Sequence, residues 1–308
     1  MPGLSIRTKL IIALTAVVLF SLGLLGYLND RSARRALTGA ANEFLLSAAS
    51  RTAARVDHFI STNLDIISTE SRLAVLGSYL RYVADSPRDR SLDERLLGVL
   101  RTFRQRDSVF ISSYALLDMK GRNVLDTHAA NIGQDESDRS HFSTPLGIAF
   151  GRRPYNSPVE FEKDGGASIY FSNRVVDLKG NVIGVLRARY RAAILQHLLI
   201  QDIGIAGSQS FPMLLDENHV RLAYGRTTGR VVVQVIYRSI VPLDSTDISE
   251  LKLKRRLPLR SPNELSTNLP VFEASLGKGL SSSKPYFSTL LATTGNRLMA
   301  AAVTKMKT

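Results

Sequence analysis

Cysteine is absent from this sequence of 308 residues. Its absence excludes disulfides, thiol nucleophiles, iron–sulfur clusters and thiolate zinc sites. Tryptophan is absent too, and the five histidines have neither the HxxxH nor the HExxH spacing of a histidine metal site. They are His58, His128, His141, His197 and His219. We therefore expect the protein to hold no metal and no cofactor.

The charge is unbalanced, with 40 basic against 27 acidic residues and a formal net charge of +13. The basic residues are spread along the chain without a run of five or a basic tail, unlike the segments that bind nucleic acid. No P-loop, GxSxG, HExxH or GxGxxG motif occurs. The sequence thus predicts a protein that binds no nucleic acid and, within this chain, is not an enzyme.

One long apolar run, residues 10–28, contains no charged side chain. As a helix it would measure roughly 28 Å, enough to cross a bilayer core of about 30 Å. The alternative is a cleaved signal peptide, but the run exceeds the usual apolar region of one and no A-x-A-like site follows it. The flanking basic residues mildly favour a span with its following domain in the cytoplasm. Long domains, however, cross the membrane largely regardless of their charge. We expect an uncleaved span in the inner (plasma) membrane, with residues 1–9 in the cytoplasm and the rest in the periplasm or outside.

Residues 30–74 show apolar side chains at every third or fourth position and contain no proline, which predicts one long helix. Continuous with the membrane span, this helix would form a stalk. We expect two copies of the chain to pair through the stalk as a homodimer. The alternative is an ordinary packing helix, and both descriptions can hold together.

Further along, the pattern changes to strands joined by tight turns. Asp118 with Gly121, and Asp177 with Gly180, are predicted to form the turns of two hairpins rather than to bind ligands. A third hairpin of the same design begins near Phe211. The predicted strands of the first two hairpins are 109–117, 123–126, 168–176 and 181–190. The expected fold is therefore α+β with antiparallel sheets.

Three stretches carry a family resemblance: YALLDMKGRNVLDTHAANIGQDESDRSHF, RPYNSPV and SIYFSNRVVDLKGNVIGVLRARYRAAILQHLL. Their order and spacing resemble the extracytoplasmic double Cache (PAS-like) sensor domains of bacterial chemoreceptors and sensor histidine kinases. The resemblance implies a membrane-distal module at 75–205, which holds the ligand, and an incomplete membrane-proximal module at 206–308. It also implies a second membrane helix and a cytoplasmic kinase, cyclase or methyl-accepting output. The sequence ends at AAAVTKMKT before either, so we expect a fragment or a truncated gene.

The resemblance also implies a ligand site. In the amino-acid-binding branch of the family, an arginine and an aromatic pair hold the ligand carboxylate, and an acid holds its ammonium group. Here Arg139 matches the arginine, and His141 and Phe142 stand at the aromatic pair. Arg189 replaces the acid. Tyr155, Tyr170 and Arg187 complete the expected set of ligand-binding residues.

Replacement of an acid by arginine removes the partner of an ammonium group and adds a second grip on an anion. We therefore expect a small anionic ligand such as a carboxylate, held by Arg139 and Arg189. The alternative is that these arginines pair with nearby acids. The acids concerned are Glu160, Glu162 and Asp164. A membrane-anchored structural or adaptor protein without a small-molecule ligand is the second hypothesis for function.

Overall fold

The computed structural model describes residues 6–85, 89–151, 153–162, 165–226, 235–283, 285–290 and 298–307. The helices are α1 Ile6–Glu70, α2 Ala74–Asp85, α3 Arg90–Gln105, α4 Ser140–Leu146, α5 Ala193–Ile200, α6 Ser245–Leu253 and α7 Pro270–Ser281. The strands are β1 Ile111–Asp118, β2 Asn123–Asp126, β3 Tyr155–Asn156, β4 Glu160–Phe161, β5 Ala167–Val176, β6 Val182–Arg191, β7 Met213–Leu215, β8 Arg221–Tyr224, β9 Tyr286–Leu290 and β10 Leu298–Ala302. Short 3-10 turns occur at Ala129–Asn131, Ile148–Phe150 and Pro262–Glu264.

Helix α1 continues unbroken from the apolar run into the predicted stalk. Its most apolar window has a mean hydropathy of 2.4, and none of that window is buried. By length and composition the helix is able to cross a membrane. It ends at Glu70 rather than 74, where the backbone bonds tighten: the Arg72 N–H donates to the Thr69 carbonyl and the Leu73 N–H to the Glu70 carbonyl. Ser71 Oγ, which donates to the Ser68 carbonyl, accepts a hydrogen bond from Asn173 Nδ2 of the sheet. The chain turns there into α2.

The predicted hairpins are confirmed and build one antiparallel sheet in the order β2-β1-β6-β5-β3, with β4 also paired to β5. Asp118 forms its turn as predicted, since its Oδ1 accepts hydrogen bonds from the backbone N–H groups of Lys120 and Arg122. Gly121 and Gly180 adopt positive φ angles of 80° and 83°, which glycine reaches without steric cost. We call this sheet and its helices, residues 75–205, the first module.

The two faces of the sheet differ in chemistry because side chains alternate along each strand. One face packs on α1, where Phe59 meets Phe171 and Tyr190 edge to face at 5.9 and 5.5 Å between ring centroids. The opposite face carries Arg187 and Arg189 and lies against α4. The sheet thus separates an apolar core from a polar face.

A polar cluster fixes the end of α1 to the sheet. The Arg106 guanidinium donates to Glu70 at 2.7 Å, and the Tyr114 hydroxyl donates to the same carboxylate at 2.9 Å. The Tyr190 hydroxyl donates to Asn63 Oδ1 at 2.7 Å. Tyr190 stands between Arg189 and Arg191 on β6, so the strand that carries the polar face is also bonded to α1.

Residues 206–308, the second module, begin with the predicted third hairpin, β7–β8. A second two-stranded sheet, β9–β10, follows later in the chain. The second module has a small core of its own, which contains Ile240, Leu269, Phe272 and Leu276. The two modules touch where Phe161 packs edge to face on Tyr237, at 5.0 Å between ring centroids.

Candidate ligand-binding site

The Tyr170 side chain lies at the centre of the predicted site residues. The His141 ring stacks on it at 4.3 Å between centroids. The guanidinium carbons of Arg139 and Arg187 lie 5.4 and 5.6 Å from the centre of its ring. Arg189 is its register partner on β6. Five of the seven predicted residues therefore meet around one aromatic ring on the polar face.

Arg187 is fully engaged with neighbouring acids. Its guanidinium lies 2.7 Å from Glu136 and 3.2 Å from Asp126, and it donates to Ser113 Oγ at 2.8 Å. Burial alone would raise the pKa of Glu136, yet the charge of Arg187 and the hydrogen bond with His141 hold that pKa well below its ordinary value. Arg187 is thus part of a buried ion-pair network that shapes the site.

Arg139 stands at the N-terminus of α4 and is also paired with acids, which bears out the alternative considered for it. Its Nη2 lies 2.8 Å from Glu160 and 2.9 Å from Glu162. Burial opposes ionisation of Glu162, but hydrogen bonds from Arg139 and Tyr170 prevail and lower its pKa to about 2. Asp164, the third acid considered, lies outside the described residues.

Arg189 differs from the other two arginines. Its Nε donates to Ser168 Oγ at 2.9 Å, and it makes no ion pair with any carboxylate of the described residues. Its positive charge nevertheless helps to lower the pKa of Glu162. Arg189 is therefore the arginine of this face that is placed to receive an anion without first losing a salt bridge.

Phe142 lies on α4, and Tyr155 lies on β3 opposite Ser172 of β5. Phe142 is buried with Leu117 and Val185 in a small apolar group beneath the helix. The Tyr155 hydroxyl is hydrogen-bonded to side chains of α4, and burial is the main cause that raises its pKa. Among the described residues, neither ring makes an aromatic contact with Tyr170.

Three buried polar atoms near Tyr170 have no hydrogen-bond partner within the part of the chain that the structure describes. They are Arg139 Nε, His141 Nδ1 and Ser172 Oγ. Ser172 follows Tyr170 by two positions and so shares its face of the sheet. Because buried polar groups are nearly always hydrogen-bonded, these atoms have capacity for a polar ligand or water.

Sequence reasoning missed two of the acids that organise the site. Asp126 and Glu136 meet Arg187, which lies 61 and 51 positions away along the chain. No local spacing signals such a contact. Glu160 and Glu162 did carry a signal, since their alternation places both on one face of an extended segment.

The comparisons with known proteins concern fold. No protein-family model matches the sequence, and no curated protein matches it. Among solved structures, the sensor domain of the V. cholerae histidine kinase DctB is similar, with a TM-score of 0.55 and 14% identity over 73% of this chain and 79% of that one. The sensory domain of the Campylobacter jejuni chemoreceptor Tlp3 with isoleucine bound has a TM-score of 0.54 and 15% identity over 89% and 91%.

The periplasmic domain of RsbU from Chlamydia trachomatis is similar to the same degree, with a TM-score of 0.54 and 15% identity over 88% of this chain and 89% of that one. These likenesses show the fold. The chain has the α+β fold of these sensor domains, and the predicted resemblance in fold to double Cache sensor domains is confirmed.

Proposed function

We propose that this chain is the membrane-anchored, extracytoplasmic ligand-sensing part of a bacterial signal-transduction receptor. It binds a small carboxylate-bearing ligand on the polar face of the first module, between α4 and strands β5 and β6. Binding passes a conformational signal along α1 to a cytoplasmic output module. The observation that carries the proposal is the convergence of Arg139, Arg187 and Arg189 around Tyr170.

The similar proteins support a ligand of this size and chemistry. The Tlp3 sensory domain has been solved with isoleucine bound, an amino acid whose carboxylate an arginine can hold in a bidentate grip. In our chain Arg189 stands where the amino-acid-binding branch has an acid for the ammonium group. A dicarboxylate, with one carboxylate for Arg139 and one for Arg189, therefore suits the site better than an α-amino acid.

Calorimetric titration of the full chain in nanodiscs with dicarboxylates and amino acids tests the ligand class. We expect a dicarboxylate to bind best, and Arg189→Ala to weaken it by about 10- to 150-fold, since one charge-assisted hydrogen bond is lost. Arg191→Ala is the matched control, because Arg191 is the next arginine on the same strand face and is exposed. An amino acid that binds best, with affinity unchanged in Arg189→Ala, would contradict the proposal.

Orientation in the membrane is tested by protease added to intact spheroplasts. If residues 10–28 span the inner membrane with the modules outside, the region after about residue 30 is digested while the cell interior stays intact. Full protection of the modules would show that they are cytoplasmic.

We also propose that two copies pair through α1 as a homodimer. Leu37 and Phe44 are 71% and 66% exposed on this helix, where apolar side chains gain most from a partner. Sedimentation of the full chain in detergent is expected to give a dimer, and Leu37→Glu with Phe44→Glu a monomer. A monomeric wild type would refute this assembly.

A further inference from the structure

We infer that Glu162 is a built-in competitor for the ligand, and that the ligand transfers it from Arg139 of the first module to Arg255 of the second. The inference rests on the proposed function and specifies how that site is regulated. It follows from the position of one carboxylate, from the charges around it, and from its neighbours at the junction between the modules.

The Glu162 carboxylate occupies the position expected of a ligand carboxylate. Its Oε1 lies 2.9 Å from Arg139 Nη2 and accepts a short hydrogen bond from the Tyr170 hydroxyl. Arg139 and Tyr170 are two of the residues proposed to hold the ligand, and the charge of Arg189, a third, also acts on Glu162. A ligand carboxylate would need the same donors, so the two compete.

The charge balance of the face makes this competition necessary. Among the described residues, Arg139, Arg187 and Arg189, together with Arg255 of the second module, face four carboxylates, Asp126, Glu136, Glu160 and Glu162. The charges are therefore already balanced, and an added anion would leave a net negative charge in a largely buried site, which is costly. The ligand therefore enters when one of the carboxylates withdraws.

Glu162 is the carboxylate placed to withdraw. Glu160 is also held by Ser140 Oγ at 2.8 Å and its side chain is only 5% exposed, whereas that of Glu162 is 16% exposed. The backbone of Glu162 is fixed, because its N–H donates to the Gly166 carbonyl and strand β4 before it pairs with β5. Withdrawal thus needs only rotation of the side chain.

The second module presents a cation to receive it. Arg255 Nη1 lies 3.8 Å from Glu162 Oε2, the oxygen that Arg139 Nη1 contacts only weakly, at 3.4 Å. The Arg255 carbonyl accepts a hydrogen bond from the Phe161 N–H at 2.8 Å, which holds the two modules in register at this point. When a ligand takes Arg139 and Tyr170, the Glu162 carboxylate moves fully to Arg255. Ligand binding thereby strengthens the ion pair between the modules.

The test is titration of the full chain in nanodiscs with succinate. Glu162→Gln removes the competing charge and is expected to tighten succinate binding about tenfold or more. Asp138→Asn is the matched control, because Asp138 is the other carboxylate near Arg255, at 3.7 Å, and is well exposed. It should leave the affinity unchanged. Glu162→Asp, which keeps the charge on a shorter side chain, should tighten binding less than Glu162→Gln does.

The role of Arg255 is tested by a double-mutant cycle. Arg255→Gln should weaken succinate binding several-fold in the wild-type background, since Glu162 then has no cation to move to, and should have no effect in Glu162→Gln. Circular dichroism establishes that each variant is folded.

The outcomes separate the two proposals. If succinate binds the wild type and is weakened by Arg189→Ala, but Glu162→Gln leaves its affinity unchanged or lower, the proposed function stands and the competitor is refuted. If Arg255→Gln had the same effect in the wild type and in Glu162→Gln, only the transfer of Glu162 to Arg255 would be refuted. If neither the wild type nor Glu162→Gln binds succinate or any other carboxylate tested, the proposed function itself is wrong.

Discussion

Arg187 in the first module and Arg221 in the second both lie on strands, and each is 2% exposed. Arg187 is paired with Glu136 and Asp126, which raise its pKa although burial opposes them. Arg221 donates to the Thr267 hydroxyl at 2.7 Å and to the Val235 carbonyl, and makes no ion pair within the described ranges. Burial accordingly lowers the pKa of Arg221 to about 10.

This difference shows two ways of keeping a buried arginine. A network of opposite charges makes Arg187 indispensable, because loss of the cation would leave two buried carboxylates without a partner. Arg221 donates only to neutral oxygens among the described residues, and the nearby charge of Arg238 repels it, so its removal leaves no stranded carboxylate. The first module is therefore the one in which ion pairs can be exchanged between protein groups and a ligand.

The largest expected effect is on stability when each arginine is replaced by methionine, which is apolar and of similar length. Arg187→Met should destabilise the first module by about 3–5 kcal/mol, whereas Arg221→Met should change the second by less than about 1 kcal/mol. Urea unfolding of the full chain in nanodiscs, with hydrogen exchange read at β6 and β8, measures the two modules separately. Equal losses at the two sites would show that the carboxylate partners do not set the difference.

The next effect concerns the two glycine turns of the first module. A Cβ on Gly121 would lie 2.6 Å from Ser137 Cα, while a Cβ on Gly180 would meet no atom within 4 Å. Both residues have positive φ, which costs an alanine about 1 kcal/mol. Gly180→Ala should show that cost alone, and Gly121→Ala a total of about 3 kcal/mol, because backbone must also move. The same urea midpoints decide, and equal costs would rule out the crowding at Ser137.

Features that depend on neighbouring residues were predicted from the sequence, whereas contacts between residues far apart in the sequence were not. The hairpins and their Asp and Gly turns follow from local spacing and were predicted correctly. The pairing of Arg187 with Glu136, 51 positions away, depends on the register of distant strands. No rule based on local sequence predicts this pairing. The sequence therefore predicted arginines that are available to an anion, whereas in the structure two of them are already paired with acids.

A third effect is a loss of stability in acid. The pKa of Glu162 is lowered from an ordinary value of 4.5 to about 2, and that of Glu136 is lowered as well. Below pH 4.5 these two carboxyl groups take up protons in the unfolded chain but stay ionised in the folded first module. Their contribution to its stability is therefore complete above pH 4.5 and falls as the pH drops toward 2.

Buried His141, whose pKa is lowered mainly by burial, adds an earlier loss below about 6.5. Urea unfolding at pH 7 and pH 3 measures the fall. In Glu162→Gln we expect the fall in unfolding free energy between pH 7 and pH 3 to be smaller by on the order of 2 kcal/mol. An equal fall in wild type and variant would mean that the ion pair with Arg139 does not contribute to stability.

The smallest expected effect is on the stability of the second module and concerns the turn between β7 and β8, which we compare with the two glycine turns. Asp216 accepts hydrogen bonds from the Asn218 and Val220 N–H groups, as Asp118 does from the corresponding positions of its own turn. His219 stands at the position of Gly121 and has a φ of 57°, in the left-handed region. Since asparagine tolerates that region better than most residues, His219→Asn should stabilise the second module by about 0.5 kcal/mol. His219→Ala is the control. It also loses the contact with Glu273 but keeps a side chain that is disfavoured at positive φ. If both variants gained stability, the lost contact and not the backbone would be the cause.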